Sequence, residues 1–107
     1  MANAELMIEA LGEPMRREIL ERLLEQPRSV TELADGLPVT RPAVSQHLKV
    51  LKESQLVTDR AEGTRRIYRV DPDALAILRA YFDSFWSRSL ETFRLAAEAD
   101  HDQEGSA

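Results

Sequence analysis

Residues 40–54 read Thr40-Arg41-Pro42-Ala43-Val44-Ser45-Gln46-His47-Leu48-Lys49-Val50-Leu51-Lys52-Glu53-Ser54, and this stretch decides the fold. Val44, Leu48 and Leu51 stand at i, i+4 and i+7, the spacing of one buried stripe on an α-helix. Thr40 is the residue type that caps a helix N-terminus. At about 100° per residue, Pro42, Ser45, Gln46 and Lys49 then point away from the stripe, with Arg41 at the exposed start. The helix is amphipathic, and its outer face is polar and basic.

Upstream, Ser29-Val30-Thr31-Glu32 fits a capping box: Ser29 caps, and Glu32 reaches back from three residues on. The helix it opens is short, holds Leu33 and Ala34, and ends at Gly36. A turn through Leu37, Pro38 and Val39 joins it to the longer helix. Thr31 to Asp35 followed by Arg41 to Ser54 is thus a helix-turn-helix pair. Further upstream, Pro14 suits a first helical turn, and Met15, Ile19, Leu20, Leu23 and Leu24 recur at helical spacing until Pro27. Residues 4–11 form a shorter helix stopped by Gly12, with Leu6, Ile8 and Leu11 available for packing. Downstream the residue types change. Val57–Arg60 and Arg65–Val70 read as two strands around Glu62-Gly63, a hairpin with glycine at the bend. Asp71-Pro72 opens a last helix running to about residue 99. The expected architecture is mainly α with a small β-hairpin wing, a winged helix-turn-helix. It occupies residues 1–99 as one domain, followed by a flexible polar tail over 100–107.

The composition bounds what this fold can do. At 107 residues the chain is long enough for one domain, and at 43% hydrophobic it can bury a modest core. It has no cysteine, so disulfides, thiolate metal sites and thiol redox chemistry are excluded. No run reaches the ~18 apolar residues of a membrane span, and no basic-then-apolar start marks a signal peptide. A soluble cytoplasmic protein without membrane association is expected. No Ser-His-Asp set, Gly-rich phosphate loop or metal-ligand spacing points to an enzyme. The net charge of −5 is unevenly spread. Residues 28–69 carry eight Lys and Arg against five acids, whereas both flanks are acidic.

A basic middle between acidic flanks suits a phosphate-rich partner, because the local field governs docking. In a helix-turn-helix the second helix enters the major groove of double-stranded DNA. There Gln46 can pair with adenine, Arg41 can fork onto guanine, and Ser45 can donate or accept. Lys49 and Lys52 are placed for phosphates. A polar outer face alone is equally what a solvated helix shows. The hairpin separates the two readings, since Arg60, Arg65, Arg66 and Arg69 lie on or beside it. The expected DNA-binding residues are Arg41, Pro42, Ser45, Gln46, His47, Lys49, Lys52, Arg60, Arg65 and Arg66. His47, beside the core stripe, is expected to pack or to touch phosphate rather than to hold a metal.

The last helix, about residues 72–99, would be ~42 Å long at 1.5 Å per residue, more than a small domain covers from inside. Leu75, Leu78, Phe82, Phe85, Trp86 and Phe93 follow helical spacing, and an aromatic seam left wet is an aggregation hazard. These six are the expected homodimer interface. A small-molecule effector pocket beside Trp86 is the alternative use of the same aromatic residues.

Leu11 to Leu20, Arg41 to Leu51, and Leu56-Val57 through Arg69 together resemble the ArsR/SmtB family of bacterial winged-helix repressors. The resemblance implies a dimer whose paired recognition helices read an inverted repeat, with the wings on flanking DNA. The Phe- and Trp-bearing last helix looks like a metal-independent branch. Where family members carry metal-binding cysteines this chain has Ser29, Thr31 and Ala34, and residues 72–99 contain no histidine. His101 stands alone in the tail. No cofactor or metal is expected. A winged-helix protein-interaction module without DNA binding is the other reading of the same fold.

Overall fold

The computed structural model describes residues 3–105. Residues 1–2 and 106–107, which enter the expectations on the chain's start and tail, lie outside the described residues, as does the His101 side chain. The chain runs α1 (Ala4–Ala10), α2 (Pro14–Glu25), β1 (Arg28–Ser29), α3 (Val30–Asp35), α4 (Arg41–Glu53), β2 (Val57–Glu62), β3 (Arg65–Val70) and α5 (Pro72–Gly105). The three strands form one antiparallel sheet in the order β1-β3-β2. Two-residue β1 is an element the sequence pattern does not announce. It pairs Arg28 with Tyr68 and Ser29 with Ile67, and so ties the start of α3 to the wing.

Each helix begins where its residue types say it should. Asn3 accepts the Glu5 N–H to open α1, and Glu13 accepts the Arg16 N–H ahead of Pro14 to open α2. Ser29 and Glu32 form the complete capping box of α3. Thr40 accepts the Ala43 N–H at the start of α4. Arginines satisfy carbonyls that helix ends leave without intrahelical partners. Arg16 Nε donates to Ala10 O at 2.6 Å, Arg17 to Leu11 O at 3.0 Å, and Arg22 to Gly36 O at 2.8 Å. A Cβ at Gly36 would come within 2.6 Å of the Arg22 guanidinium, whose flexible end would have to move aside.

Helix α4 ends in a Schellman motif. The Leu56 N–H reaches back to Leu51 O at 2.9 Å and the Gln55 N–H to Lys52 O at 3.0 Å. The left-handed residue this turn needs is Gln55, with φ 66°, where glycine is the usual choice.

The core gathers Met7, Ile19, Leu33, Val44, Leu48, Leu51, Leu56 and Val57, all fully buried. Val44, Leu48 and Leu51 are thus the inward face of α4 that their spacing specified. In α1 the inward residues are Met7 and Ala10, with Ile8 and Leu11 partly buried. Leu6 faces outward, because the helix turns the Met7 row toward the core. Leu24 is likewise exposed, one position beyond the inward row of Ile19, Leu20 and Leu23.

Helix α5 has two parts. Asp71 accepts the Asp73 N–H to open it, and Ala74 and Leu78 then join the core, with Ile77 and Tyr81 partly covered. From residue 82 onward the side chains described are exposed. The helix continues to Gly105, past the end expected near residue 99, because no proline or glycine intervenes. The molecule therefore measures 74 × 29 × 20 Å, one helix projecting far from a small body. Among the described residues no helix is long and apolar enough to cross a membrane.

Candidate nucleic-acid interface

On α4, Pro42, Ser45, Gln46 and Lys49 point away from the core, with Arg41 at the helix start and Lys52 on the flank toward the wing, all exposed. His47 does not share that face. It is partly buried, with Nδ1 3.9 Å from Glu13 Oε2 at the foot of α2. It turns partly inward because it lies three residues after Val44 and four before Leu51, on the flank of the buried stripe.

The wing stands beside this face. β2 and β3 pair from Val57 opposite Val70 to Glu62 opposite Arg65, leaving Gly63 and Thr64 as a two-residue loop. Gly63 has φ 64° and is the first central residue, as a type II′ turn requires. No atom lies within 4 Å of where a Cβ would stand at Gly63.

The wing's cations are held by carboxylates. Lys52 Nζ lies 2.8 Å from Asp59 Oδ1, and Arg66 Nη1 lies 2.9 Å from Asp59 Oδ2. The Asp59 side chain is only 6% exposed. The hydrogen bond from Lys52 holds its carboxyl below the usual carboxylate range, helped by Arg66 and opposed by burial. Arg65 pairs with Glu32 and also donates to Ser29 Oγ at 3.2 Å. Glu32 is held low mainly by the Ser29 N–H and hydroxyl, with Arg65 adding to them. Arg60 pairs with Glu62 at 3.0 Å, and Arg69 stands 3.9 Å from the same carboxylate. Arg41 and Lys49 enter no ion pair among the described residues. The recognition helix thus carries two cations outside any ion pair, Arg41 and Lys49, whereas Lys52 at its end and the wing arginines are latched.

A helix-turn-helix with a flanking two-stranded wing has recognisable relatives. Residues 13–59, which span α2, α3 and α4, match the model for "Bacterial regulatory protein, arsR family". The HTH-type transcriptional regulator Rv2034 of Mycobacterium tuberculosis is 52% identical over 94 residues, 88% of each chain. The chain belongs to the arsR family of bacterial regulatory proteins. Solved arsR-type structures carry the same fold. One is the crystal structure of a "possible transcriptional regulator for arsenical resistance", 47% identical, with a TM-score of 0.71 over 86% of this chain and 94% of that one. Another is the solution structure of a homodimeric winged helix-turn-helix DNA-binding domain from Mycobacterium bovis. It is 30% identical, with a TM-score of 0.64 over 78% of this chain and 77% of that one. An interaction module without DNA binding is not favoured by this membership.

Against this arsR-family frame the expected site residues divide. The structure leaves Arg41, Pro42, Ser45, Gln46 and Lys49 exposed on α4 and joins Lys52 to Arg66 through Asp59, while Arg60 and Arg65 lie on the other face of the hairpin, Arg65 against α3. The two anchoring acids, Asp59 and Glu32, are residues that sequence reasoning missed in this role. A signal for Asp59 existed. It stands opposite Tyr68 in the register, which makes Arg66 its diagonal cross-strand neighbour. On α5, Leu75, Phe82, Phe85, Trp86 and Phe93 are all exposed, joined by Leu90 and Leu95. Leu78 is not among them: it lies in the core of its own chain, on the inward side of the Ala74 turn, and has little surface for a partner.

The arsR-family metal positions suggested by resemblance do not fit a metal here. Ser29 is buried, and its hydroxyl accepts from the Glu32 N–H and from Arg65. Thr31 and Ala34 offer no thiolate. Among the described residues no three His, Cys, Asp or Glu side chains gather to hold an ion.

Proposed function

We propose that this chain is a sequence-specific regulator of transcription that binds double-stranded DNA as a homodimer on an inverted-repeat operator, with repression as its effect. The observation that carries this reading is the row Arg41, Ser45, Gln46 and Lys49. It is an exposed hydrogen-bonding face on a helix whose other face is locked in the core, with a basic wing alongside. Such a row offers bidentate partners for guanine and adenine edges in a major groove. The exposed aromatic residues of distal α5 supply the surface for a second copy, and the related Mycobacterium bovis domain is homodimeric. As a regulatory protein acting on DNA it would work in the cytoplasm, as a binder rather than as an enzyme. Because Ser29 is engaged in capping and no thiol stands nearby, its control would not run through a thiolate metal site.

Selection of bound fragments from random duplex DNA by the purified protein tests the reading. The expected result is an inverted repeat whose half-sites are centred about 10–10.5 base pairs, or a multiple of that, apart. Recovery of sequences with no common element would overturn it.

A further inference from the structure

Asp59 occupies a position that the DNA-binding reading does not by itself explain. It is an acid placed between the recognition helix and the wing, inside a surface expected to meet phosphate. Its two oxygens are divided. Oδ1 takes Lys52 from the last turn of α4, and Oδ2 takes Arg66 from β3. Lys52 and Arg66 are both 55% exposed, whereas the Asp59 side chain is 6% exposed beneath them. Two cations that could each take a phosphate are thereby bound to one carboxylate, and two separate elements are joined through it. A nearly buried carboxylate flanked by two cations stays ionised at neutral pH, which keeps the bridge closed.

We propose that Asp59 is a positioning residue that determines specificity: it fixes the wing to the recognition helix and withholds Lys52 and Arg66 from indiscriminate phosphate binding. The inference rests on the DNA-binding reading above. Binding to any duplex scales with the cations free to displace counterions. Binding to one sequence depends on elements held in register before contact, because preorganisation removes ordering costs. A single bridging carboxylate acts on both terms in opposite directions. It lowers the first and raises the second.

The test compares wild type and Asp59→Asn on two duplexes of equal length, one carrying the sequence enriched from random DNA and one scrambled, across a salt series. Thermal unfolding is followed in parallel. The expected result is that the ratio of the two affinities falls roughly tenfold, the scale of one lost specific contact. Affinity for the scrambled duplex holds or rises, with a salt dependence steeper by about one to two units, roughly 0.9 for each cation that gains a phosphate. A ratio unchanged from wild type, whatever happens to the melting temperature or to absolute affinity, overturns the proposal and leaves Asp59 a structural residue. If Asp59→Asn does not fold, Asp59→Glu carries the same test. The charge is kept but displaced by a methylene, so the ratio must fall with the salt slope unchanged, and an unaltered ratio overturns the proposal. A wild type that does not distinguish the duplexes removes the DNA-binding reading and this inference with it. A selective wild type with an equally selective variant removes the inference alone.

Discussion

Arg65 on the wing is ion-paired to Glu32, the residue whose carboxylate also accepts the Ser29 N–H in the capping box of α3. One side chain therefore serves the helix start and the wing together. Asp59 does the equivalent for α4 and the wing through Lys52 and Arg66. The hairpin is latched to both helices of the helix-turn-helix, and both latches are carboxylates.

Those latches should open in acid. Both carboxyls are held below their ordinary values of 4.5 for Glu32 and 3.8 for Asp59. A group with a depressed native pKa stabilises the fold above its unfolded value, and that contribution disappears as pH falls through the native one. Stability measured by urea midpoint is expected to be level from pH 7 to about 5 and to decline below that. In the Glu32→Gln, Asp59→Asn double variant the decline should be shallower. An acid limb as steep as that of wild type would show that these two groups are not responsible.

The recognition helix makes a separable prediction. Arg41→Ala and Gln46→Ala are each expected to weaken operator binding by roughly 1–3 kcal/mol and to relax base preference. Lys49→Ala should weaken all sequences alike and reduce the salt dependence by about one unit. Anisotropy titrations on operator and scrambled duplexes measure both effects. If all three variants bind as wild type does, the docking face lies elsewhere.

Gln55 holds a left-handed conformation at the end of α4 that costs a side-chain-bearing residue energy. Gln55→Gly is expected to raise stability by about 0.5–1 kcal/mol, the strain relieved exceeding the added freedom of the unfolded chain. Chemical denaturation gives the sign directly, and a destabilised variant would contradict the assignment of strain there.

Phe85 is half exposed, so Phe85→Glu places a charge in water in a single chain but in an apolar seam in a dimer. The variant should be a well-folded monomer by sedimentation and circular dichroism. Its operator affinity is expected to drop on the order of a hundredfold as two-site binding is lost. The opposite result, a dimer that still binds the operator, would move the interface off this helix.

Calorimetry with zinc bears on control. With Ser29 engaged in capping and no thiol in the chain, no sub-micromolar site is expected, and zinc should not release bound DNA. Tight, saturable binding would place the chain among the metal sensors.

Much of this architecture is legible in local chemistry. Ser29 with Glu32, Thr40, Pro14 and Gly63 each announce a cap or a turn through a short-range requirement, and each stands where that requirement is met. The α4 stripe is equally plain, since three apolar residues at helical spacing leave one orientation. What escapes is set by tertiary partners. Two residues of β1 carry no periodicity, and only β3 makes them a strand. Met7 rather than Leu6 faces inward because α1 packs as a unit, and neighbouring apolar residues do not reveal which. Leu78 and Phe82 look alike in a periodic stripe. The body of the domain ends between them, which puts one in the core and the other in solvent. Asp59 and Glu32 read as surface acids until the fold brings Arg65, Arg66 and Lys52 to them.

At Gly63 the turn demands a positive φ, yet the space around the α-carbon is empty. The restriction there is one of handedness and not of bulk. An L-alanine would be strained at the wing tip, whereas a D-alanine, whose preferred backbone angles are the mirror image, would sit in the same turn at ease. The tip is thus a place where a semisynthetic chain could carry a mirror-image residue without straining the hairpin.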